Sequence, residues 1–178
     1  MKPFLAVIVG LMLASASSGR AQTSQATRQP SPELQRESDY YLGSWKLTGE
    51  TKPSPFGPGG QKFESSERLE RMPGCFFLLA RSYEGDKWTG LTIIGYDEKK
   101  KVLTHTSYNA RGETEVMEGT QQGDTEIWSG DGNVNGKSAK QRLTIKRVSP
   151  SLYTFEFEMA PQGGNWSLVY EGQGRKER

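Results

Sequence analysis

The sequence predicts an all-β protein, an antiparallel up-and-down β-barrel of about ten strands with one short N-terminal helix. Turn residues recur every ten or so positions after Gly43, polar and apolar side chains alternate between the turns, and glycine makes up 21 of the 178 residues. Short turns of this kind join neighbouring antiparallel strands. A long series of half-polar strands has two edges to protect, and closing the sheet into a barrel removes both.

The clearest strand pattern lies at 152–159. Its odd-numbered residues are Tyr153, Phe155, Phe157 and Met159, whereas the residues between them are polar. Side chains of a strand alternate between two faces, so one face is buried and the other is wet. The ten predicted strands are 44–51, 61–72, 75–83, 88–96, 102–109, 113–121, 125–131, 138–148, 152–159 and 165–174.

A helix is predicted at 32–42, ahead of the first strand. Ser31 can cap its N-terminus, Pro32 suits the first helical position, and Glu33 lies in the first turn. This helix leads into the barrel and could plug one end. The preceding residues 22–31 have no apolar residue except alanine, so we expect a disordered leader there and a single domain at 32–178.

Residues 1–21 have the features of a cleavable secretory signal peptide. One lysine precedes an apolar run from Phe4 to Leu13, and small residues follow. The run has about ten residues, half of the roughly 20 that a membrane-spanning helix needs. Cleavage is expected after Ala21, with Ala16 as the second choice. The mature protein is therefore expected in the periplasm or outside the cell, with no integral membrane segment.

Charge and cysteine content restrict the classes of partner. Removing Lys2 and Arg20 with the signal peptide lowers the basic count from 23 to 21, which equals the acidic count of 21. No nucleic-acid partner is expected, because such binding needs clustered basic residues. Cys75, the only cysteine, can form no internal disulfide and is expected to be a buried thiol at the start of an apolar strand.

Several motifs together resemble the DUF1579 family of bacterial domains of unknown function. They are Gly43-Ser44-Trp45 opening the first strand, Pro73-Gly74 before an apolar strand, Gly95-Tyr96-Asp97 before a lysine-rich turn, and Gly112 and Gly119 beyond. The resemblance covers residues 42–174 and implies a calycin-like barrel similar to lipocalins and fatty-acid-binding proteins. Nitrobindin-like members of that group hold haem through a histidine near the C-terminus. This chain has none there, so no haem or other cofactor is expected.

The aromatic residues are the strongest indication of function. A ten-strand barrel can be wide enough to hold a small apolar ligand with a few polar anchors. Arg81 and Arg142, each at mid-strand among apolar residues, could anchor a carboxylate; the alternative for each is a surface charge. The candidate ligand-binding residues are Trp45, Arg81, His105, Arg142, Tyr153, Phe155, Phe157, Trp166 and Tyr170.

The preferred hypothesis is therefore a non-enzymatic binding protein for a small hydrophobic or amphipathic molecule. A barrel that serves as a structural or interaction module is the first alternative. The second is an enzyme in which His105 works with a carboxylate such as Asp97 or Glu113. One histidine and one cysteine are too few for a transition-metal site, so no metal and no catalytic residue are assigned. The ligand and the oligomeric state stay open.

Overall fold

A computed structural model describes residues 29–134 and 137–177, without the side chains of Val134 and Lys137. The predicted signal peptide and most of the predicted leader lie outside these residues. The described elements are α1 (Pro32–Tyr41), β1 (Gly43–Thr51), β2 (Lys62–Arg71), β3 (Leu78–Glu84), β4 (Lys87–Asp97), β5 (Val102–Asn109), β6 (Thr114–Gln122), β7 (Thr125–Val134), β8 (Lys137–Ser149), β9 (Leu152–Pro161) and β10 (Ser167–Lys176).

The ten strands form one closed antiparallel barrel, as the sequence predicts. Each strand pairs with its neighbours in the chain, and β1 closes the barrel by pairing with β10. In this closing pair Trp45 lies opposite Lys176 and Thr51 lies opposite Tyr170. Every strand therefore has hydrogen-bonded neighbours on both sides, which removes the exposed edges of an open sheet.

The helix α1 also forms where the sequence predicts it. The side chain of Ser31 accepts a hydrogen bond from the backbone N–H of Leu34 at 3.1 Å, and Pro32 begins the helix. Leu34, Glu37, Ser38 and Tyr41 form its buried face. The residues on the opposite side of the helix are polar and point to solvent. The helix α1 is therefore amphipathic, and its buried face is held by the barrel.

The helix closes one end of the barrel, which we call the helix end. The Tyr40 hydroxyl donates hydrogen bonds to the carbonyls of Ser149 and Leu152, at the turn between β8 and β9. The Lys176 ammonium donates to the carbonyl of Tyr40 at 2.9 Å. The opposite end, which we call the mouth, is bordered among the described residues by the β1–β2 loop at 52–61 and by the shorter β3–β4, β5–β6 and β9–β10 connections.

Glycines on the inner face make room for large rings on the next strand. A Cβ atom at Gly119 would lie 2.4 Å from the ring of Trp128, and one at Gly174 would lie 2.2 Å from the ring of Tyr153. Both distances are shorter than any real contact. These glycines therefore let two aromatic rings lie flat against the backbone near the helix end, where the barrel is filled.

The predicted burial of Cys75 is wrong. Cys75 is exposed with a φ of 60°, and its N–H donates to the carbonyl of Met72 at 2.9 Å. The residues from Pro73 to Cys75 reverse the chain, so β3 begins at Leu78, three residues later than predicted. The apolar run enters the core only after this turn.

Candidate functional site

A buried ionic network fixes α1 to the barrel. The guanidinium of Arg147 on β8 contacts Glu37 of the helix at 2.5 Å and Glu126 of β7 at 2.6 Å. Both carboxylate side chains are 1% exposed and that of Arg147 is 12% exposed. Tyr41 donates a hydrogen bond to Glu126 at 2.9 Å. We call these four residues the helix-end network.

Aromatic side chains fill the space around the helix-end network. Trp45 is 0% exposed, and its indole N–H donates to the carbonyl of Tyr41 at 2.7 Å. The ring of Tyr153 lies 5.0 Å from that of Trp45 and 5.6 Å from that of Tyr41. The guanidinium of Arg147 lies 4.4 Å from the Tyr40 ring centre. This end of the barrel is packed core.

Two carboxylates share one arginine in this network. Burial and the neighbouring Glu126 raise the pKa of Glu37 from 4.5 to about 8, against the opposing effect of Arg147. One arginine balances one negative charge, so Glu37 keeps its proton in the folded protein at pH values where the unfolded chain loses it.

This predicts that the protein loses stability as the pH rises. The stabilisation due to Glu37 is complete below about pH 4.5 and is lost as the pH rises to about 8. Denaturant unfolding from pH 5 to pH 8.5 should show a falling free energy of unfolding. The variant Glu37→Gln should show a weaker pH dependence, and parallel curves for the two proteins would contradict the prediction.

The inner face changes character towards the mouth. Side chains that point into the barrel at the helix end are buried, whereas many of those in the middle and near the mouth are only half-buried although strands surround them. Their remaining accessible surface faces an internal space, which we call the lumen. The half-buried lumen residues are Leu47, Phe63, Ser65, Glu67, Ser82, His105, Ser107, Glu115, Gln141, Leu143, Ile145 and Tyr170.

Aromatic rings form one wall of the lumen. The ring of Phe155 lies 6.3 Å from that of Phe63 and 6.2 Å from that of Tyr170. Phe157 stacks on Tyr170 with 4.7 Å between ring centres. These residues lie on β2, β9 and β10, which are neighbours of β1 or of one another in the barrel. The wall suits a flat, apolar group.

Two carboxyl groups point into the lumen. Glu67 lies opposite Trp45 on β1 and Ser82 on β3, and Ser82 donates a hydrogen bond to it at 3.2 Å. Glu115 lies opposite Ser107 on β5. Burial raises the pKa of both carboxyls. The pKa of Tyr170 is also raised, by its own burial and then by the charges of Glu115 and Glu67, so all three groups share the same space.

Two further polar groups in the lumen have buried atoms without a partner. These atoms are Nδ1 of His105 and Oε1 of Gln141. Burial lowers the pKa of His105 to about 4, so its imidazole is neutral at physiological pH. The imidazole ring lies 5.7 Å from the ring of Trp128. A buried polar atom without a hydrogen bond is costly, and a bound molecule can supply the missing partner.

The structure places the predicted site residues in different parts of the barrel. Trp45 and Tyr153 lie in the packed helix end, and Trp166 lies in the connection between β9 and β10, 41% exposed. The rings of Phe155 and Phe157 form the lumen wall with Tyr170. His105 projects into the lumen beside Trp128.

The expectation that Arg81 and Arg142 anchor a ligand inside the barrel is corrected. Arg81 lies beside the inward-facing Ala80 and pairs with Glu70 at 2.5 Å on the outer face. Arg142 pairs with Glu158 at 2.8 Å and lies 4.5 Å from the ring centre of Trp166. Each arginine already has an acidic partner, because charged side chains on the wet face of neighbouring strands meet in cross-strand pairs.

The carboxylates suggested as catalytic partners of His105 are engaged elsewhere. Asp97 accepts hydrogen bonds from the N–H groups of Lys99 and Lys100 in the β4–β5 turn. Glu113 binds Arg111 and Asn109 in the β5–β6 turn. These turns lie at opposite ends of the barrel, and both carboxylates are outside the lumen.

Neither a metal cluster nor the outer groove provides a further site in the described residues. Residues 29–134 and 137–177 hold no group of three or more His, Cys, Asp and Glu side chains arranged for a metal ion. An open groove of about 530 Å³ crosses the outside of β2, β1, β10 and β9. At its edge Lys52 pairs with Glu50 and Glu171, so the charged groups of the groove already bind one another.

Within the described residues, no helix is long and apolar enough to span a membrane.

Fold and site together define a closed antiparallel barrel with one filled end and half-buried inward side chains towards the other. The family model of DUF1579, described as a protein of unknown function, matches residues 39–176. The chain therefore belongs to the DUF1579 family. This agrees with the resemblance seen in the sequence motifs at the start of the first strand and at the turns. No curated protein matches the chain.

Solved structures with similar folds include Rv2717c from M. tuberculosis. The alignment covers 84% of this chain and 100% of that chain, with a TM-score of 0.54 and 16% sequence identity, which shows a shared fold. A protein with unknown function of the DUF3598 family from Nostoc punctiforme PCC 73102 aligns over 78% of this chain and 97% of its own, at 8% identity and a TM-score of 0.25.

Proposed function

We propose that this protein is an exported, non-enzymatic binding protein that holds a small hydrophobic or amphipathic molecule in the barrel lumen. The observation that carries the proposal is the contrast between the two ends of the barrel. Inward side chains are packed at the helix end, whereas many of those in the middle and towards the mouth keep accessible surface and include two polar groups with buried atoms that lack a partner, His105 and Gln141. The predicted signal peptide supports export.

The division of labour between the two ends fits such a role. The helix-end network and the aromatic core around it hold the barrel closed on one side, so a ligand enters by the mouth. The loop at 52–61 borders the mouth, and its Phe56 packs against the core cluster. The rings of Phe63, Phe155 and Tyr170 offer apolar contacts, and polar groups opposite them orient the ligand.

Two neighbouring serines of β2 provide a matched test. Ser65 lies opposite Leu47 and faces the lumen, whereas Ser66 lies opposite Lys46 and faces outward. We expect Ser65→Trp to fill the lumen and to weaken binding of the neutral dye Nile red at least tenfold. Ser66→Trp adds the same side chain outside the barrel and should bind the dye as the unmodified protein does. Fluorescence titration measures both affinities.

The same titration separates the proposal from a purely structural barrel. If the unmodified protein binds neither Nile red nor other neutral lipophiles, the lumen is not a binding site and the structural module is favoured. Equal affinities in the two tryptophan variants would place the dye outside the lumen. Ser107→Phe, which adds a ring to the lumen from β5, repeats the test should Ser65→Trp fail to fold.

A further inference from the structure

The charged side chains that point into the lumen are all acidic. Glu67 and Glu115 project into it, and no Lys or Arg side chain among the described residues balances them there. Three cations at the helix end are bound to other groups. Arg147 holds Glu37 and Glu126, Arg71 holds Ser38 and Asp39, and Lys176 donates to the carbonyl of Tyr40.

The lumen also has more hydrogen-bond acceptors than donors among its polar groups. Glu67 receives a single hydrogen bond, from Ser82, and Glu115 receives none from the described residues. An ionised carboxylate has room for about four such bonds. The Oε1 atom of Gln141 is an acceptor that is buried without a donor. The two carboxyl groups and this amide oxygen therefore lack hydrogen-bond donors.

We propose that the ligand of this lumen carries a primary amine on an aromatic or apolar body. The inference rests on the proposed function and names the chemical class of its ligand. An ammonium group supplies three donors and a positive charge, which meets both deficits at once. Its apolar body lies against Phe63, Phe155 and Tyr170, and the ring faces also attract a cation.

A carboxylate ligand, which the sequence suggested through Arg81 and Arg142, is disfavoured by the same geometry. Both arginines lie outside, and an anion in the lumen would meet two carboxyl groups and no described counter-charge. A metal ion is also a poor fit, because residues 29–134 and 137–177 offer no cluster of three ligating side chains. An organic cation needs fewer fixed ligands than a metal ion does.

Three compounds that share a phenyl ring on a four-carbon chain and differ in the polar end group test the inference. They are 4-phenylbutylamine, 4-phenylbutan-1-ol and 4-phenylbutyric acid, titrated calorimetrically at pH 7 into protein refolded from denaturant to remove any retained ligand. The amine should bind at least tenfold more tightly than the alcohol, and the acid should bind more weakly than both. This comparison uses the unmodified protein and depends on no variant.

A double variant locates the preference. The variant that carries both Glu67→Gln and Glu115→Gln should bind the amine no more tightly than the alcohol. Its affinity for the alcohol should stay within about threefold of that of the unmodified protein. The matched control is Glu64→Gln with Glu118→Gln, which removes two carboxylates from the outer faces of the same strands, where they pair with Lys46 and Lys100. It should keep the preference for the amine.

The outcomes separate this inference from the proposed function. If alcohol and acid bind as tightly as the amine, the lumen binds apolar molecules but the amine assignment is overturned. A preference that survives the double variant also overturns it. If none of the three compounds binds and Nile red does not bind either, the proposed function itself fails.

Discussion

Replacing Arg147 with methionine is expected to lower the free energy of unfolding by about 3 to 5 kcal/mol. Methionine keeps the apolar part of the side chain but leaves Glu126, 2.6 Å from the guanidinium, without its counter-charge, and Glu37, 2.5 Å from it, without its hydrogen-bond donor. An uncompensated buried carboxylate is costly, and the cation contact with the Tyr40 ring is lost as well. Urea unfolding followed by circular dichroism measures the loss.

Arg142 is the control for this substitution. It lies on the same strand and also pairs with a glutamate, but its side chain is 35% exposed on the outer face. An exposed ion pair contributes about 0 to 1 kcal/mol. Arg142→Met should therefore have an effect within that range, and equal losses in the two variants would show that the helix-end network does not hold the barrel closed.

Trp45→Ala is expected to cost about 3 to 5 kcal/mol, as large-to-small changes in a packed core do. Trp45 is 0% exposed and contacts Tyr40, Tyr41 and Tyr153, and its indole N–H binds the carbonyl that ends α1. The substitution removes the ring that connects the helix to the first strand. Thermal and urea unfolding should agree on the loss.

Trp166 provides the matched control, because it is the same residue type in an exposed position. Its side chain is 41% exposed and contacts Arg142. Trp166→Ala should cost at most about 1 kcal/mol, the typical contribution of an exposed contact between an arginine and a ring. A loss of about 3 to 5 kcal/mol in the free energy of unfolding at Trp166, or a loss of only about 1 kcal/mol at Trp45, would contradict the assignment of the filled and the open end.

The strand pattern was predictable because it depends on local chemistry. Turn residues and the period of two at 152–159 indicated ten antiparallel strands, and Ser31-Pro32 indicated the start of α1. The start of β3 was missed because the apolar run at Cys75 looks continuous with the strand. Only the positive φ of Cys75 shows that the turn extends that far.

The orientation of side chains was harder to predict. On β8 the alternation of Leu143, Ile145 and Arg147 with Arg142 contains the signal that Arg142 faces outward, and it also marks Arg147 as inward. On β3 both faces carry apolar residues, so the alternation does not decide where Arg81 points. The expectation of a carboxylate ligand followed from these two orientations.

The polar groups of the site had no sequence signal of their own. Glu67 and Glu70 belong to the same charged strand, and only the register of β2 with β1 shows that Glu67 faces the lumen. Phe63, Glu115 and Gln141 were missed for the same reason. Glu37 and Arg147 are separated by 110 positions, so their contact depends on how the helix lies across the barrel end.

Native mass spectrometry of the protein purified from its own source tests the central claim most directly. The account predicts that the unmodified protein retains a small molecule in a one-to-one complex, and that Ser65→Trp is recovered without it while Ser66→Trp keeps it. If the unmodified protein is recovered at its ligand-free mass and forms no one-to-one complex with added 4-phenylbutylamine or 4-phenylbutan-1-ol, the lumen is not a binding site and the account is wrong.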